Sequence, residues 1–278
     1  MTTTADLALP PRRLFVALLT VMLLALTACV PTEQAPVQSP ELDGGTPAGQ
    51  ETGSPPPTGT GRGLASISFD DGTIGQYEYA RPVLRKHKLP ATYYLVSDAL
   101  GWGSITISPE QARELRAEGN EIGNHTKDHK DLADLTAAQV RAQFAESQDT
   151  IETQVGVRPT TCAYPYGSSN AVVLKEAEKH FKGCRSTQGG LNERDRLVTY
   201  DLFSYYVLQG TTAAQIRAAA ERARASNLWI VFVYHDVDPE PKEPDDVTPE
   251  LFAAHIDAIT STDIPVRTVE SALAAMSR

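Results

Sequence analysis

The sequence predicts an α/β fold, a single small (β/α) barrel, from three observations. Strand-like and helix-like runs alternate from residue 64 to the end of the chain. The run at 229–234 is apolar at nearly every position, which is typical of a strand in a parallel sheet covered on both faces. Seven or eight such strand–helix units fit into about 215 residues, and this number favours a barrel over an open sheet.

The predicted elements follow in chain order. The strands cover 64–69, 91–96, 121–123, 160–164, 183–186, a segment around Val207, 229–234 and 265–268. The helices cover 76–86, 108–119, 136–155, 171–181, 211–225, 248–260 and 269–276. The second helix has the clearest start, because Ser108 can cap it, Pro109 suits its first turn and Gln111 completes a capping box. Gly119 marks its end.

Residues 1–28 have the pattern of an export signal. Arg12 and Arg13 precede an apolar run, and small residues then lead to Cys29. The run is shorter than the roughly 20 residues that a transmembrane helix needs. The pattern resembles a bacterial lipoprotein signal, which implies cleavage before Cys29 and lipid attachment to it. A twin-arginine signal and an uncleaved N-terminal anchor are the alternatives, and each places the domain outside the cytoplasm.

Residues 29–62 are predicted to be the lipidated cysteine and a flexible linker. The stretch is rich in Pro, Gly, Ser and Thr, and cannot bury enough apolar surface to offset the ordering of its backbone. The folded domain is then 63–278. A formal net charge of −10 argues against a nucleic-acid partner, since such proteins normally present a basic face. We expect a monomer that meets the membrane only through its lipid anchor.

Two cysteines remain besides Cys29, namely Cys162 and Cys184. An even number in an oxidising compartment is typical of a disulfide. Two small buried apolar side chains are the alternative.

Two adjacent carboxylates end the first predicted strand. Asp70 and Asp71 follow the apolar run and precede Gly72. Neighbouring residues of a strand point to opposite faces, so the two carboxylates can serve different purposes. An ordinary Asp-Gly turn at a strand end is the alternative.

Two histidines follow the strand predicted at 121–123. His125 and His129 are four residues apart, so on one helical turn they would share a side and could hold one metal ion. Two histidines alone would more often be a solvated surface pair. Asp71, at the end of a neighbouring strand, adds a third ligand, and the three residues together indicate a candidate catalytic metal site. Zinc is the first candidate for this ligand set, which also admits other divalent metals.

Polar clusters also follow two later strands. The segment Tyr164-Pro165-Tyr166-Gly167 offers a stiff turn with a backbone N–H that can face an oxyanion. His235 ends the strand at 229–234 and is a candidate general acid. A histidine that merely satisfies a hydrogen bond at the strand end is the alternative.

The chain resembles the NodB-type polysaccharide deacetylases (carbohydrate esterase family 4) in four motifs, in order Phe69-Asp70-Asp71-Gly72, His125 with His129, Tyr164-Pro165-Tyr166-Gly167, and Val233 with His235. The resemblance extends from about residue 64 to the C-terminus. It implies a distorted (β/α) barrel. It also implies metal-dependent removal of acetyl groups from N-acetylated, sometimes O-acetylated, sugar polymers such as poly-N-acetylglucosamine, peptidoglycan or chitin.

The resemblance implies a role for each matching residue. These roles are general base for Asp70, general acid for His235, metal ligation for Asp71, His125 and His129, and an oxyanion contact for the backbone N–H of Tyr166. The implied cofactor is a divalent metal, zinc first, and the implied partner is an acetylated polysaccharide. The candidate substrate-binding residues are Trp102, Pro165, Tyr166 and Val233.

Two positions depart from the family pattern. Ala163 stands where an arginine usually contacts the base. The segment 200–206 offers only Asp201 as a candidate to orient His235. Three other functions remain open. They are an O-acetyl carbohydrate esterase, a non-haem iron enzyme with the same ligand types, and a non-catalytic carbohydrate-binding lipoprotein, for which both Asp70 and His235 would be superfluous.

Overall fold

A computed structural model describes residues 63–277, in which seven parallel strands close into a barrel. Strands β1 to β7 are Leu64–Phe69, Thr92–Leu95, Glu121–Asn124, Thr161–Ala163, Gly183–Gly189, Leu202–Tyr206 and Trp229–Tyr234. Helices α1 to α7 are Arg81–His87, Pro109–Ala117, Ala137–Val155, Ala171–His180, Ala213–Ala225, Pro249–Thr260 and Val269–Met276. The predicted (β/α) barrel is confirmed. The predicted signal, Cys29 and linker lie outside the described residues.

The barrel is most regular where its first and last strands meet. All six residues of β1 and of β7 are buried, and the two strands are paired from Leu64 with Trp229 to Phe69 with Tyr234. Each buried Ile, Val or Phe side chain contributes about 1.5–3 kcal/mol to folding. Trp229 Nε1 donates to Ser66 Oγ at 2.9 Å, so the one polar atom of this large side chain is satisfied inside the core.

Pairing is sparser on the other side of the barrel. Strands β3 and β4 are paired at Asn124 with Cys162. The register of β5 against β6 shifts between Arg185 and Gly189. Cys162 and Cys184 are register partners on β4 and β5 and form a disulfide, with a Cα–Cα distance of 4.5 Å. The barrel is therefore distorted on the side of β3 to β6.

Most predicted elements lie where the sequence places them, and Ser108 with Gln111 forms the predicted capping box. The segment 265–268 is not a strand: it has a single bridge, between Ala65 and Val266. Pro265 has no N–H to donate, which limits its pairing with β1. The first helix opens with a π-helical turn, Gln76–Ala80. No helix within residues 63–277 has both the length and the apolar character of a membrane span.

Candidate metal and acid–base site

The two adjacent aspartates leave the end of β1 toward different partners. Asp70 is 2% exposed, and its N–H continues the sheet by donating to Tyr234 O at 3.0 Å. Asp71 has a φ of 69° and Gly72 a φ of 72°, both in the left-handed region. This backbone turn directs the Asp71 carboxylate toward two histidines, while Asp70 stays in the barrel. The predicted division between the two carboxylates is thus present in the geometry.

His125 and His129 come together through a loop, so the predicted helical turn is wrong. His125 directly follows β3, and its N–H donates to Leu95 O at 3.0 Å. Thr126 and His129 adopt left-handed φ values of 68° and 58°. The N–H of His129 donates to Thr126 Oγ1 at 3.2 Å, which closes the turn. The two imidazole centroids are 4.9 Å apart.

The three predicted ligands fit a divalent metal. Nε2 of His125 and of His129 lie 3.3 and 3.2 Å from Asp71 Oδ1. That oxygen is buried and has no hydrogen-bond partner among the described residues. Nδ1 of His125 lies 2.9 Å from Ala163 O, which only accepts, so in the neutral ring Nε2 carries a lone pair. Three electron-rich atoms therefore converge on one point, where a cation is the complementary partner.

The charge of Asp71 suits this role. Burial raises the pKa of Asp71, but the two facing histidines lower it by more, so the pKa of this carboxyl lies well below its usual range. An ionised carboxylate beside two imidazoles is the donor set of many divalent metal sites.

Arg185 supplies the arginine that Ala163 does not. It lies on β5, is fully buried, and its Nη2 donates to Asp70 Oδ1. Its guanidinium carbon lies 5.0 Å from the centroid of the Tyr94 ring. Burial raises the pKa of Asp70, but the charge of Arg185, followed by His125 and His235, outweighs it and lowers that pKa below its ordinary value.

The sequence contains one signal of this pair. Strand β5 opens with Gly, Cys, Arg and Ser, so an arginine stands in the middle of a buried strand. A buried guanidinium needs a charged partner, because the loss of its hydration is costly. The partner itself, Asp70, is 115 positions away and cannot be read from the local pattern.

His235 and Arg185 face different oxygens of the Asp70 carboxylate. Nε2 of His235 is 3.9 Å from Asp70 Oδ2. Tyr206, the last residue of β6, places its hydroxyl 3.3 Å from the same Nε2. Asp245 Oδ2 lies 3.5 Å from Nδ1 and accepts the Tyr206 hydroxyl at 2.6 Å.

The expectation that Asp201 orients His235 is wrong. Asp201 precedes β6, whereas Tyr206, five residues later, reaches the histidine. Five strand residues span roughly 16 Å. Asp201 Oδ1 has no hydrogen-bond partner within residues 63–277. Asp245, from the loop between β7 and α6, takes the position instead.

The predicted oxyanion turn lies beside the metal ligands. Pro165–Gly167 forms a 3₁₀ turn in which Tyr166 has a φ of 60°. The Tyr166 ring is 67% exposed and stands 4.8 Å, edge to face, from the His129 ring. Gly167 has a φ of 65°, and a Cβ there would lie 2.1 Å from Thr187 Oγ1, so only glycine fits. The turn is therefore fixed against β5.

These side chains share one open cavity of about 480 Å³, lined by Asp70, Asp71, His125, His129, Tyr164, Tyr166, Thr187, Tyr206, His235 and Asp245. Six predicted site residues are thus brought together. Three candidate substrate-binding residues do not line it. Pro165 and Val233 are buried, and Trp102 is 52% exposed on the loop between β2 and α2.

Fold and site together define a class of protein, a parallel barrel that places a two-histidine, one-aspartate metal site beside a carboxylate and a histidine. Residues 58–181 match the sequence model of the family described as Polysaccharide deacetylase. Over these residues, which are less than half of the chain, the protein is similar to this family.

The chain is also similar to individual deacetylases over part of their length. YxkH from Bacillus subtilis (strain 168) is 33% identical over 131 residues, which cover 47% of this chain and 47% of YxkH. A chitin deacetylase from Pestalotiopsis sp. is 32% identical over 126 residues, covering 45% of this chain and 38% of that protein. The chain thus spans less than half the length of these relatives.

A solved structure shares the fold. The family 4 acetyl xylan esterase from Clostridium thermocellum, in complex with a cobalt ion, matches with a TM-score of 0.55 and 22% identity. The match covers 76% of this chain and 91% of the esterase.

Proposed function

We propose that the protein is a metal-dependent hydrolase that removes acetyl groups from N-acetylated sugar units of a polysaccharide. The observation that carries this proposal is the separation of roles around one cavity. Three ligand atoms converge beside a buried carboxylate that is not a ligand, and a histidine faces that carboxylate from the other side. The likeness to a chitin deacetylase favours an N-acetylglucosamine polymer as substrate.

Asp71, His125 and His129 would hold the divalent metal, for which zinc is the first candidate. When bound, it would supply a Lewis acid that polarises the acetyl carbonyl and acidifies a water molecule.

The chain's own residues perform the proton transfers. Asp70, kept ionised by Arg185, takes a proton from the attacking water. The backbone N–H of Tyr166 stabilises the negative charge that develops on the carbonyl oxygen. His235 protonates the departing nitrogen, since an amine leaves poorly without a proton. A protein that only bound carbohydrate would need neither the Asp70–Arg185 pair nor His235.

Acetate release from a panel of polymers tests the proposal. Chitin oligomers, poly-N-acetylglucosamine, peptidoglycan and acetylated xylan would be incubated with the purified protein, with a chelator, and with the chelator followed by zinc. We expect acetate from at least one N-acetylated polymer, lost with chelator and restored by zinc. An Asp70→Asn variant is the matched control and should release none. Acetate from xylan alone would assign an O-acetyl esterase, and no release from any polymer would overturn the proposal.

We also propose that the protein is held outside the cytoplasm by a lipid on Cys29. This proposal rests on the apolar run at 14–26, the small residues before the cysteine and the polar stretch after it. The pair Cys162 and Cys184, joined as a disulfide, suits an oxidising compartment.

A further inference from the structure

Two residues outside the resemblance's motifs contact His235. Tyr206 reaches it because β6 and β7 are in register there, with Tyr206 opposite Val233, two residues before the histidine. The Tyr206 and His235 rings lie 5.0 Å apart. Asp245 arrives from the loop that follows β7 and meets both residues.

The Tyr206 hydroxyl has a single proton to donate, and its position is fixed by the acceptor. Asp245 Oδ2 lies 2.6 Å from the hydroxyl oxygen, and an aspartate carboxylate at neutral pH only accepts. Burial raises the pKa of Tyr206, and Asp245 raises it further, so the hydroxyl keeps its proton. That proton therefore points at Asp245, and the side of the oxygen that faces His235 carries only lone pairs.

The contact between Tyr206 and His235 then assigns a hydrogen on the histidine. His235 Nε2 lies 3.3 Å from the Tyr206 oxygen, and this contact is attractive only if Nε2 bears the hydrogen. The carboxylates around the ring fit a histidine with hydrogen on both nitrogens, as an acid requires: Asp70 Oδ2 lies 3.9 Å from Nε2, and Asp245 Oδ2 lies 3.5 Å from Nδ1. Arg185 is bound to the other oxygen of Asp70.

We propose that Tyr206 and Asp245 act together as positioning residues that hold a hydrogen on His235 Nε2, so that this histidine meets the substrate as an acid. The inference rests on the proposed deacetylation. It states that the direction of proton transfer is set by two residues that the resemblance does not identify.

The reaction that this arrangement serves is balanced. The water oxygen bonds to the acetyl carbon and gives one proton to Asp70. The carbon–nitrogen bond breaks, its electron pair stays on nitrogen, and nitrogen takes the hydrogen from His235 Nε2. The products are the sugar amine and acetic acid. The proton on Asp70 then returns to His235 across the 3.9 Å gap, which restores the starting state.

The test compares two leaving groups with Tyr206→Phe and Asp245→Asn. An N-acetylglucosamine oligomer releases an amine that needs a proton, whereas 4-nitrophenyl acetate releases a phenolate that does not. We expect kcat on the oligomer to fall about 100-fold or more. We expect kcat on the aryl ester to change by less than about threefold, since that leaving group bypasses the acid. Equal losses on both substrates, or no loss on the oligomer, would overturn the proposal.

Two control variants share the surroundings but not the contacts. Tyr205→Phe removes the hydroxyl of the preceding strand residue, which packs on Phe232 and points away from the cavity. Glu243→Gln neutralises an exposed carboxylate of the same loop as Asp245. Both should keep wild-type rates on both substrates.

A second readout does not depend on activity. Nitrogen-15 NMR of the histidine rings reports which ring nitrogen carries hydrogen, and a His235→Gln spectrum identifies the relevant signals. At pH 7 we expect hydrogen on Nε2 in the wild type. We expect it to be lost from Nε2 in Asp245→Asn, whose amide can donate to Tyr206 and free the tyrosine proton for the histidine. A bare Nε2 in the wild type would overturn the proposal. Failure of the wild type to release acetate from any polymer would instead overturn the proposed function.

Discussion

Replacing Arg185 by methionine tests how the buried carboxylate is held ready as a base. Arg185 is fully buried and Asp70 is 2% exposed, so water cannot substitute for the lost guanidinium. Methionine fills much of the same volume without charge. The variant therefore isolates the charge and its hydrogen bond to Asp70.

The size of the effect follows from the burial of both partners. Removing one member of a buried ion pair costs about 3–5 kcal/mol of folding free energy. Asp70 can limit this loss by taking up a proton. Keeping a proton at pH 7 on a carboxyl that ionises near pH 3.9 in the unfolded chain costs about 4 kcal/mol, at roughly 1.4 kcal/mol per pH unit. We therefore expect a loss of about 3–5 kcal/mol at pH 7 that becomes smaller toward pH 5.

The sign of the pH dependence follows from the direction of the pKa shift. In the wild type the pKa of Asp70 is lowered, so its stabilising contribution is present above the unfolded pKa and is lost as the pH falls through the folded one. Without Arg185, burial dominates and raises the pKa of Asp70. The acidic limb of kcat/KM on an N-acetylglucosamine oligomer should then move to higher pH by about one unit or more.

Urea unfolding at pH 7 and 5, together with a pH profile of acetate release at saturating zinc, measures both effects. The double variant with Asp70→Asn should recover part of the lost stability, because no unpaired charge remains. Arg196→Met is the control, since this side chain is 84% exposed and should change stability by less than about 0.5 kcal/mol. An unchanged acidic limb with unchanged stability would refute the assigned role of Arg185.

Three further predictions address the metal, the disulfide and the anchor. His129→Ala should lose zinc and activity together, whereas Asp70→Asn should keep zinc and lose activity; metal analysis of both proteins decides, and a zinc-free Asp70→Asn would contradict the assignment. Replacing Cys162 and Cys184 by alanine opens a link between residues 22 positions apart. It should cost about 3 kcal/mol in urea unfolding, and an unchanged midpoint would count against that contribution. Cys29→Ala should move the protein from the membrane to the soluble fraction of producing cells, and an unchanged distribution would rule out lipid anchoring.

Local patterns were sufficient for the barrel and for much of the site. Apolar runs locate the strands, and parallel strands place their ends on one face, so Asp71 and His235 could be expected near each other. The turn geometry of the histidines was not accessible in the same way. Thr126 and His129 adopt left-handed backbone conformations. Glycines at these positions would have indicated such conformations in the sequence, whereas threonine and histidine do not.

The partners of the acid, His235, and of the base, Asp70, could not be predicted from the sequence for another reason. Arg185 acts across the barrel on a residue 115 positions away, and Asp245 acts from a loop on a residue 10 positions away. Which side chain crosses to which depends on strand register and on the path of an irregular loop. Neither leaves a periodic signal in the sequence, and Asp201 is suggested only by its place in the segment where the family pattern has an aspartate.

The uneven pairing of the barrel has a consequence for its motions. Amides of β1 and β7, paired over six residues, should exchange with solvent only on global unfolding, whereas those near the single β3–β4 pair can exchange through local opening. The bond from His125 to Ala163 O spans that thin junction. A metal that immobilises His125 would therefore also slow the local opening of β4. Metal binding and stabilisation of the most sparsely paired part of the barrel would then be coupled.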